Sequence, residues 1–276
     1  MKRLWPLCLL MGLGCSSAWA GSITIDGDLK DWIGPPQGKA SDWTPIRSTT
    51  LLQVEDQGGN NNTYLDPGYG GQAYDAEAVY LEIADAHLNV AIVTGLNPNN
   101  TEWKPGDIAI DFGNNGSFEY GIVTSGPESL NDSHGSGIGS RGDVYGVTAW
   151  NVGLWGDSVY KNRHPTSVRN GNLLNSGQPV NLSYGEAKYD GKKISELSAT
   201  LGSFGGPHYL IEAAIPIYLF GTDWGQKFTL HWTMACANDW IAIDPPAQVS
   251  EPGSLGLLGL GLVGLLGRKR LGTRTN

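Results

Sequence analysis

Residues 78–95 read AVYLEIADAHLNVAIVTG, two apolar runs around the polar break Asp85-Ala86-His87. Val79, Leu81 and Ile83 recur at every second position of the first run, and Leu88, Val90 and Ile92 do so in the second. A period of two is that of a strand with one buried face, not of a helix. The short break between the runs predicts a β-hairpin, with strands over Ala78–Ala84 and Leu88–Gly95.

The pattern repeats outward from this hairpin. Ile108, Ile110 and Phe112 alternate with Asp107, Ala109 and Asp111, and the turn Gly113-Asn114-Asn115-Gly116 leads into Phe118–Val123. Ser22–Asp26, Leu51–Glu55, Asp143–Trp150, Tyr209–Ile215 and Lys227–Ala235 are further strand candidates. No segment carries a convincing amphipathic helical period. With 40 glycines and only 16% charged residues, the composition is one of short strands and many turns. The polar stretches Ser125–Gly142 and Asn151–Gln178 read as surface loops. Roughly eight to eleven short strands predict an all-β fold, a jelly-roll-like β-sandwich. It fills residues 21–248, between an N-terminal signal helix and a short C-terminal hydrophobic helix.

Both ends read as addresses. Lys2 and Arg3 precede the apolar stretch Leu4–Leu13, and Ala18 and Ala20 put small residues before Gly21. These are the three parts of a secretory signal peptide over residues 1–20, with cleavage between Ala20 and Gly21. Its removal takes away Cys8 and Cys15 and leaves Cys236 alone. The body then has no intrachain disulfide and must be held by its own core, with Cys236 as a buried small hydrophobe. At the other end, Leu255–Gly267 is 13 uncharged residues, five of them glycine. As a helix it spans roughly 20 Å against a hydrocarbon core of about 30 Å. Preceded by Glu251-Pro252 and followed by Arg268, Lys269 and Arg270, it is an orienting stop signal with its positive end in the cytoplasm.

This tail resembles the PEP-CTERM sorting signal of Gram-negative bacteria, carried here by residues 249–276. Its elements are the Glu251-Pro252 start, the glycine-interrupted leucine run and the basic Arg268-Lys269-Arg270 end. Ser250 stands where the family has the first proline of its Pro-Glu-Pro. The resemblance implies recognition by exosortase, a membrane-embedded cysteine protease. It also implies transient residence in the inner membrane through the C-terminal helix, and a cell-surface or extracellular destination.

All 27 acidic residues fall between Gly21 and Pro252, whereas six of the 18 basic ones lie outside that span. So negative a body excludes nucleic acid and anionic lipid as partners and suits divalent cations, neutral polysaccharide or simple solubility.

Three further phrases resemble the family-nine carbohydrate-binding modules and their DOMON-like relatives: Ile23-Thr24-Ile25-Asp26-Gly27-Asp28-Leu29-Lys30-Asp31-Trp32, Leu88-Asn89-Val90-Ala91-Ile92 and Glu212-Ala213-Ala214-Ile215-Pro216. That resemblance implies a β-sandwich that binds sugars or haem, often with structural calcium. Longer phrases, among them Gly68–Ala78 and His231–Asp239, look like uncharacterised exported proteins that share the sorting tail, and imply no activity.

Candidate sites follow from spacing. Asp107 and Asp111 share one strand face, and the following hairpin would bring Glu119 near them. Asp75 and Glu77 are likewise two apart. Clustered carboxylates repel unless a cation lies among them, and calcium, which takes six to eight oxygens, is the natural occupant. The plain alternative is a solvated strand face with turn-capping aspartates; no complete EF-hand spacing is present. Trp103, Trp150, Trp155, Tyr69 and Tyr74 lie in or beside loops, where aromatic faces can stack on sugar rings, whereas Trp232 alternates with core residues. The same acids satisfy the minimum for a glycosidase pair.

Other chemistries find no support. Gly137-Ile138-Gly139-Ser140-Arg141-Gly142 fits a dinucleotide pattern but no helix follows it, and the five histidines show no zinc spacing. The sequence therefore predicts an exported, surface-sorted, non-catalytic protein that binds or organises exopolysaccharide. A polysaccharide-cleaving enzyme and a structural matrix protein without a defined ligand are the alternatives.

Overall fold

The computed structural model describes residues 22–36, 43–55, 71–100, 102–124, 137–153, 164–176, 178–201, 207–237 and 239–245. The signal segment, the sorting tail, Tyr69 and Trp155 lie outside the described residues.

The hairpin over residues 78–95 is present. Strands β1 (Leu51–Val54), β2 (Ala76–Ala84) and β3 (His87–Thr94) run antiparallel in sequence order. The β2–β3 turn places Asp85 and Ala86 at φ 51° and 60°, the left-handed pair that matches the twist of a two-residue hairpin. Strands β4 (Ile108–Phe112), β5 (Tyr120–Ile122), β6 (Val144–Val152) and β7 (Pro165–Leu173) form a second antiparallel run. Then come β8 (Asn181–Glu186), β9 (Lys188–Tyr189), β10 (Lys192–Lys193), the helix α1 (Ile194–Leu201), β11 (Tyr209–Pro216), β12 (Phe228–Thr233) and β13 (Trp240–Ile243).

These strands make an all-β sandwich. One sheet has the order β1-β2-β3-β11-β8, the other β13-β12-β4-β5-β6-β7, and β9 and β10 pair separately. The apolar positions of the alternating runs meet between the sheets: Val79, Leu81, Val90, Ile92, Ile211 and Ile215 from one, and Ile108, Ile110, Phe112, Leu230, Trp232 and Ile241 from the other. Burial of such side chains is the main favourable term holding the layers together.

A second apolar cluster covers part of the outer face of the five-stranded sheet. Tyr80, Ala91, Val93 and Leu210 point outward there and are capped by Leu29, Trp32, Ile33, Trp43 and Ile194. Among the described residues, this cluster covers one end of that outer face.

Two sequence expectations are corrected, and two elements carried no clear sequence signal. Ser22–Asp26 forms no strand, because the Asp26 and Gly27 amides donate to the Glu212 carboxylate instead of to a ladder. The stretch 151–178 is not a loop throughout: Pro165–Leu173 is a nine-residue strand paired to β6. Its side chains are mostly polar because the backbone supplies its ladder bonds and much of it is exposed, so no alternation marked it. The Asn181–Glu186 strand went unread, although Leu182 and Tyr184 point into the core at the expected period. Among the described residues the one α-helix, α1, has only eight residues, too few for a clear amphipathic period.

Candidate functional site

The uncovered end of the outer face is a groove of about 470 Å³. Its floor is set by strand register. Ala214 of β11 lies opposite Asn181 of β8 on one side and Asn89 of β3 on the other. At a strand spacing of about 4.8 Å, the two asparagines flank the small Ala214 about 10 Å apart. One step further along, Pro216 lies opposite His87, which in turn lies opposite Ala84. Ile23 and Ile25 line the groove, as do Pro179 and Val180. Tyr218, 75% exposed, stands at its edge.

Several of these groups have fixed hydrogen-bonding roles. His87 Nδ1 lies 2.7 Å from the Asp85 carbonyl oxygen; a carbonyl only accepts, so Nδ1 carries the proton and the neutral ring keeps an acceptor at Nε2. Asn89 donates its Nδ2 to the Glu82 carbonyl at 3.3 Å, which leaves its Oδ1 as acceptor. Glu82 itself accepts from the hydroxyls of Thr49 at 2.7 Å and Thr50 at 2.6 Å, closing the row under β1.

The acidic residues singled out from the sequence separate into two behaviours. Asp107 is buried and accepts the Thr124 amide at 3.1 Å and the Val168 amide at 2.9 Å. Burial pushes its carboxyl up to about 7 against those two donors. Asp111 caps the β4–β5 turn, accepting from Asn115 N at 3.1 Å and Gly116 N at 2.7 Å, while Glu119 accepts from Phe112 N at 2.9 Å. Backbone amides thus occupy all three, and they are not among the carboxylates that the fold gathers. The acidic trio whose oxygens lie within 4.8 Å of one another, among the described residues, is Glu55, Asp75 and Asp239.

Asp75 was in the expected set; Glu55 and Asp239 were not, because β13 approaches β1 and β2 only in the folded sandwich. Asp239 accepts the Ala76 amide at 2.7 Å and the Trp240 amide at 2.9 Å. Its carboxyl is raised by burial and also shares a hydrogen bond with Asp75. Glu77 does not join the trio. It sits at a register shift between Ala76 and Ala78, accepts from Gln72 Nε2 and has an oxygen 3.5 Å from His208 Nε2. Burial raises its carboxyl to about 8.

The aromatic residues are dispersed. Trp103 and Tyr74 pack against the main core. Trp150 packs on Val123, Tyr145 and Val168 outside the six-stranded sheet and donates its indole N–H to the Phe118 carbonyl at 2.8 Å. None of these three lines the groove. Sequence reasoning missed Asn89, Asn181, His87 and Tyr218. The available signal was Asn89, an amide at an outward position of an otherwise apolar strand.

Among the described residues no helix is long and apolar enough to cross a membrane. Residues 248–270 match the family model of the PEP-CTERM protein-sorting motif. No curated protein and no solved structure matches the chain. The motif supports an exported protein, processed by exosortase and destined for the cell surface or the extracellular space.

Proposed function

We propose that the exported body binds extracellular polysaccharide without cleaving it, through the groove on the outer face of the five-stranded sheet. The observation that carries this reading is the row Asn181–Ala214–Asn89, a trough with amides on both sides and the exposed ring of Tyr218 at its edge. Amides matched to hydroxyls, beside an aromatic face, are the chemistry a sugar chain requires. Glycoside hydrolysis needs two carboxyl groups across the scissile bond. Among the described residues that line the groove the acid is Asp85, which favours a binding module over an enzyme. Calcium enters this reading as a structural ion at Glu55, Asp75 and Asp239, where a cation relieves the repulsion of gathered acids.

Co-sedimentation of the exported protein with polysaccharide stripped from the producing cells tests the proposal, with reducing ends measured in the same tubes. Binding that is lost in Tyr218→Ala and Asn181→Ala, with no new reducing ends, is expected. Sugar release abolished by Asp85→Asn would make the protein an enzyme instead.

A further inference from the structure

We infer that the groove selects glycans free of carboxylate, sulfate and phosphate, with His87 Nε2 and Asn89 Oδ1 accepting hydrogen bonds from ligand hydroxyls. The inference rests on the polysaccharide-binding reading of this groove and narrows its ligand. Three observations carry it.

The first is the hydrogen-bonding polarity of the wall. The Asp85 carbonyl takes the His87 Nδ1 proton at 2.7 Å, and the Glu82 carbonyl takes the Asn89 amide N–H at 3.3 Å. Both side chains therefore offer acceptors to whatever enters, and the Asp85 carboxylate beside them is another. Asn181, Gln178 and Tyr218 add groups that donate as well as accept, but the acceptors at His87, Asn89 and Asp85 still call for a ligand that carries donors. Sugar hydroxyls supply them, whereas an ionised carboxylate or sulfate supplies none and meets each acceptor with lone pairs.

The second is charge. No lysine or arginine is among the described residues lining the groove, so nothing there compensates an anion stripped of water. The body around it, residues 21–248, holds 26 acidic and 12 basic residues, and its field repels polyanions at long range.

The third is the floor. Ala214 and Pro216 present small surfaces with no side-chain donor, so the apolar face of a sugar ring lies on them without leaving a buried polar group unmatched. His87 is thus the specificity-determining residue, and Ala214 sets the space.

Electrophoresis of the exported protein in native gels tests this. One set of gels is cast with hydroxyethylcellulose, galactomannan or dextran, and the other with polygalacturonate or alginate. Retardation by at least one neutral polymer and by neither polyuronate is expected. His87→Phe, which keeps a ring but removes the acceptor, should weaken the neutral interaction roughly three- to tenfold. Ala214→Trp, which fills the trough, should abolish it, and Tyr218→Ala serves in its place should that chain fail to fold. Equal retardation by polyuronate, lost in Ala214→Trp, would overturn the selectivity while leaving the groove as the binding site. Retardation of Ala214→Trp or Tyr218→Ala as strong as wild type would sink the groove itself. Free passage through every neutral polymer would overturn both.

Discussion

Trp32 donates its indole N–H to Glu212 Oε1 at 2.8 Å, across a sequence separation of 180 residues. The other oxygen, Oε2, accepts the Gly27 amide at 2.6 Å and the Asp26 amide at 3.1 Å. Asp28 completes the attachment by accepting from Asp190 N at 2.9 Å and Gly191 N at 2.7 Å at the β9–β10 turn. Together these bonds fasten the N-terminal segment over one end of the outer sheet face. The groove lies at the edge of that cover, with Ile23 and Ile25 of the same segment lining it beside Asn89 and Asn181.

Glu212→Gln should therefore loosen the cover. An amide has one acceptor oxygen, so either the indole or the pair of backbone amides faces an NH2 group; the cost is about 1–3 kcal/mol, read as a lower urea midpoint. The substitution also removes a pH dependence. Burial pushes the Glu212 carboxyl up to about 7 from its ordinary 4.5. Because the folded value is the higher one, its contribution to stability is complete below about 4.5 and is lost as pH rises through about 7. The midpoint advantage of wild type over the variant should shrink as pH rises from about 4.5 to about 7.

How much of this was legible depends on which side chains spoke. The hairpin at 78–95 and the β4–β5 pair were legible because Val79, Leu81, Val90, Ile92, Ile108 and Ile110 alternate toward one core. Strand β7 was not, because a partly exposed strand is held by backbone bonds and Arg169, Asn170 and Asn172 carry no inward signal. For the groove, residue types were visible but neighbourhood was not: Asn89, Asn181 and Ala214 are far apart in the chain and become adjacent only through the β3-β11-β8 order. Asp107, Asp111 and Glu119 are absent from the gathered trio for a related reason. Asp107 and Asp111 do share a strand, but each is satisfied by nearby amides, which a spacing rule does not see.

Acid should unfold the protein through its histidine pair. His164 Nδ1 lies 2.9 Å from His231 Nε2, with the rings stacked on each other and on Trp240. Burial holds His231 down to about 3, with His164 as a second cause, and holds His164 down to about 4. For a histidine with a depressed folded value, stability is present above the unfolded value of 6.5 and is lost as pH falls. The buried His231 ring contributes up to about 1.4 kcal/mol per pH unit in that range, and the partly exposed His164 less because solvent screens it. Chemical denaturation between pH 6.5 and 4 should show this slope, and His231→Gln should flatten it. With the opposing slope of Glu212, maximum stability lies at mildly acidic pH.

Gly106 lies against the backbones of both β12 and β7, with no room for a side chain. A Cβ there would lie 2.0 Å from the Thr233 carbonyl oxygen and 2.7 Å from that of Thr166. The Gly106 carbonyl also accepts from Trp232 Nε1 at 2.9 Å and from Thr124 Oγ1 at 2.6 Å, so the backbone cannot retreat cheaply. Gly106→Ala should cost about 3 kcal/mol or more. A melting temperature within a degree of wild type would contradict the close approach.

Chelation tests the proposed structural calcium. A ligand that binds only the folded state raises its stability with concentration. EDTA should lower the melting temperature and calcium should restore it, and Asp75→Asn combined with Asp239→Asn should abolish that response. An unchanged melting temperature in EDTA would mean that a proton shared between Asp75 and Asp239 neutralises the pair instead.

Sorting makes the last prediction, because the tail has separable parts. Leu255–Gly267 is too short to be a durable anchor on its own, at roughly 20 Å of helix. The Arg268-Lys269-Arg270 cluster carries the positive charge that orients such a segment toward the cytoplasm, and Glu251-Pro252 lies within the matched sorting motif. Replacing the three basic residues with Gln should remove the orienting charge and divert the chain from processing. Replacing Glu251 and Pro252 with Ala should leave orientation intact and block the protease, so that full-length chain accumulates in the inner membrane. Intact mass measurement of surface-released wild-type material should show loss of the basic C-terminus. Recovery at the surface of chains ending at Asn276 would mean that the motif is not processed in this protein.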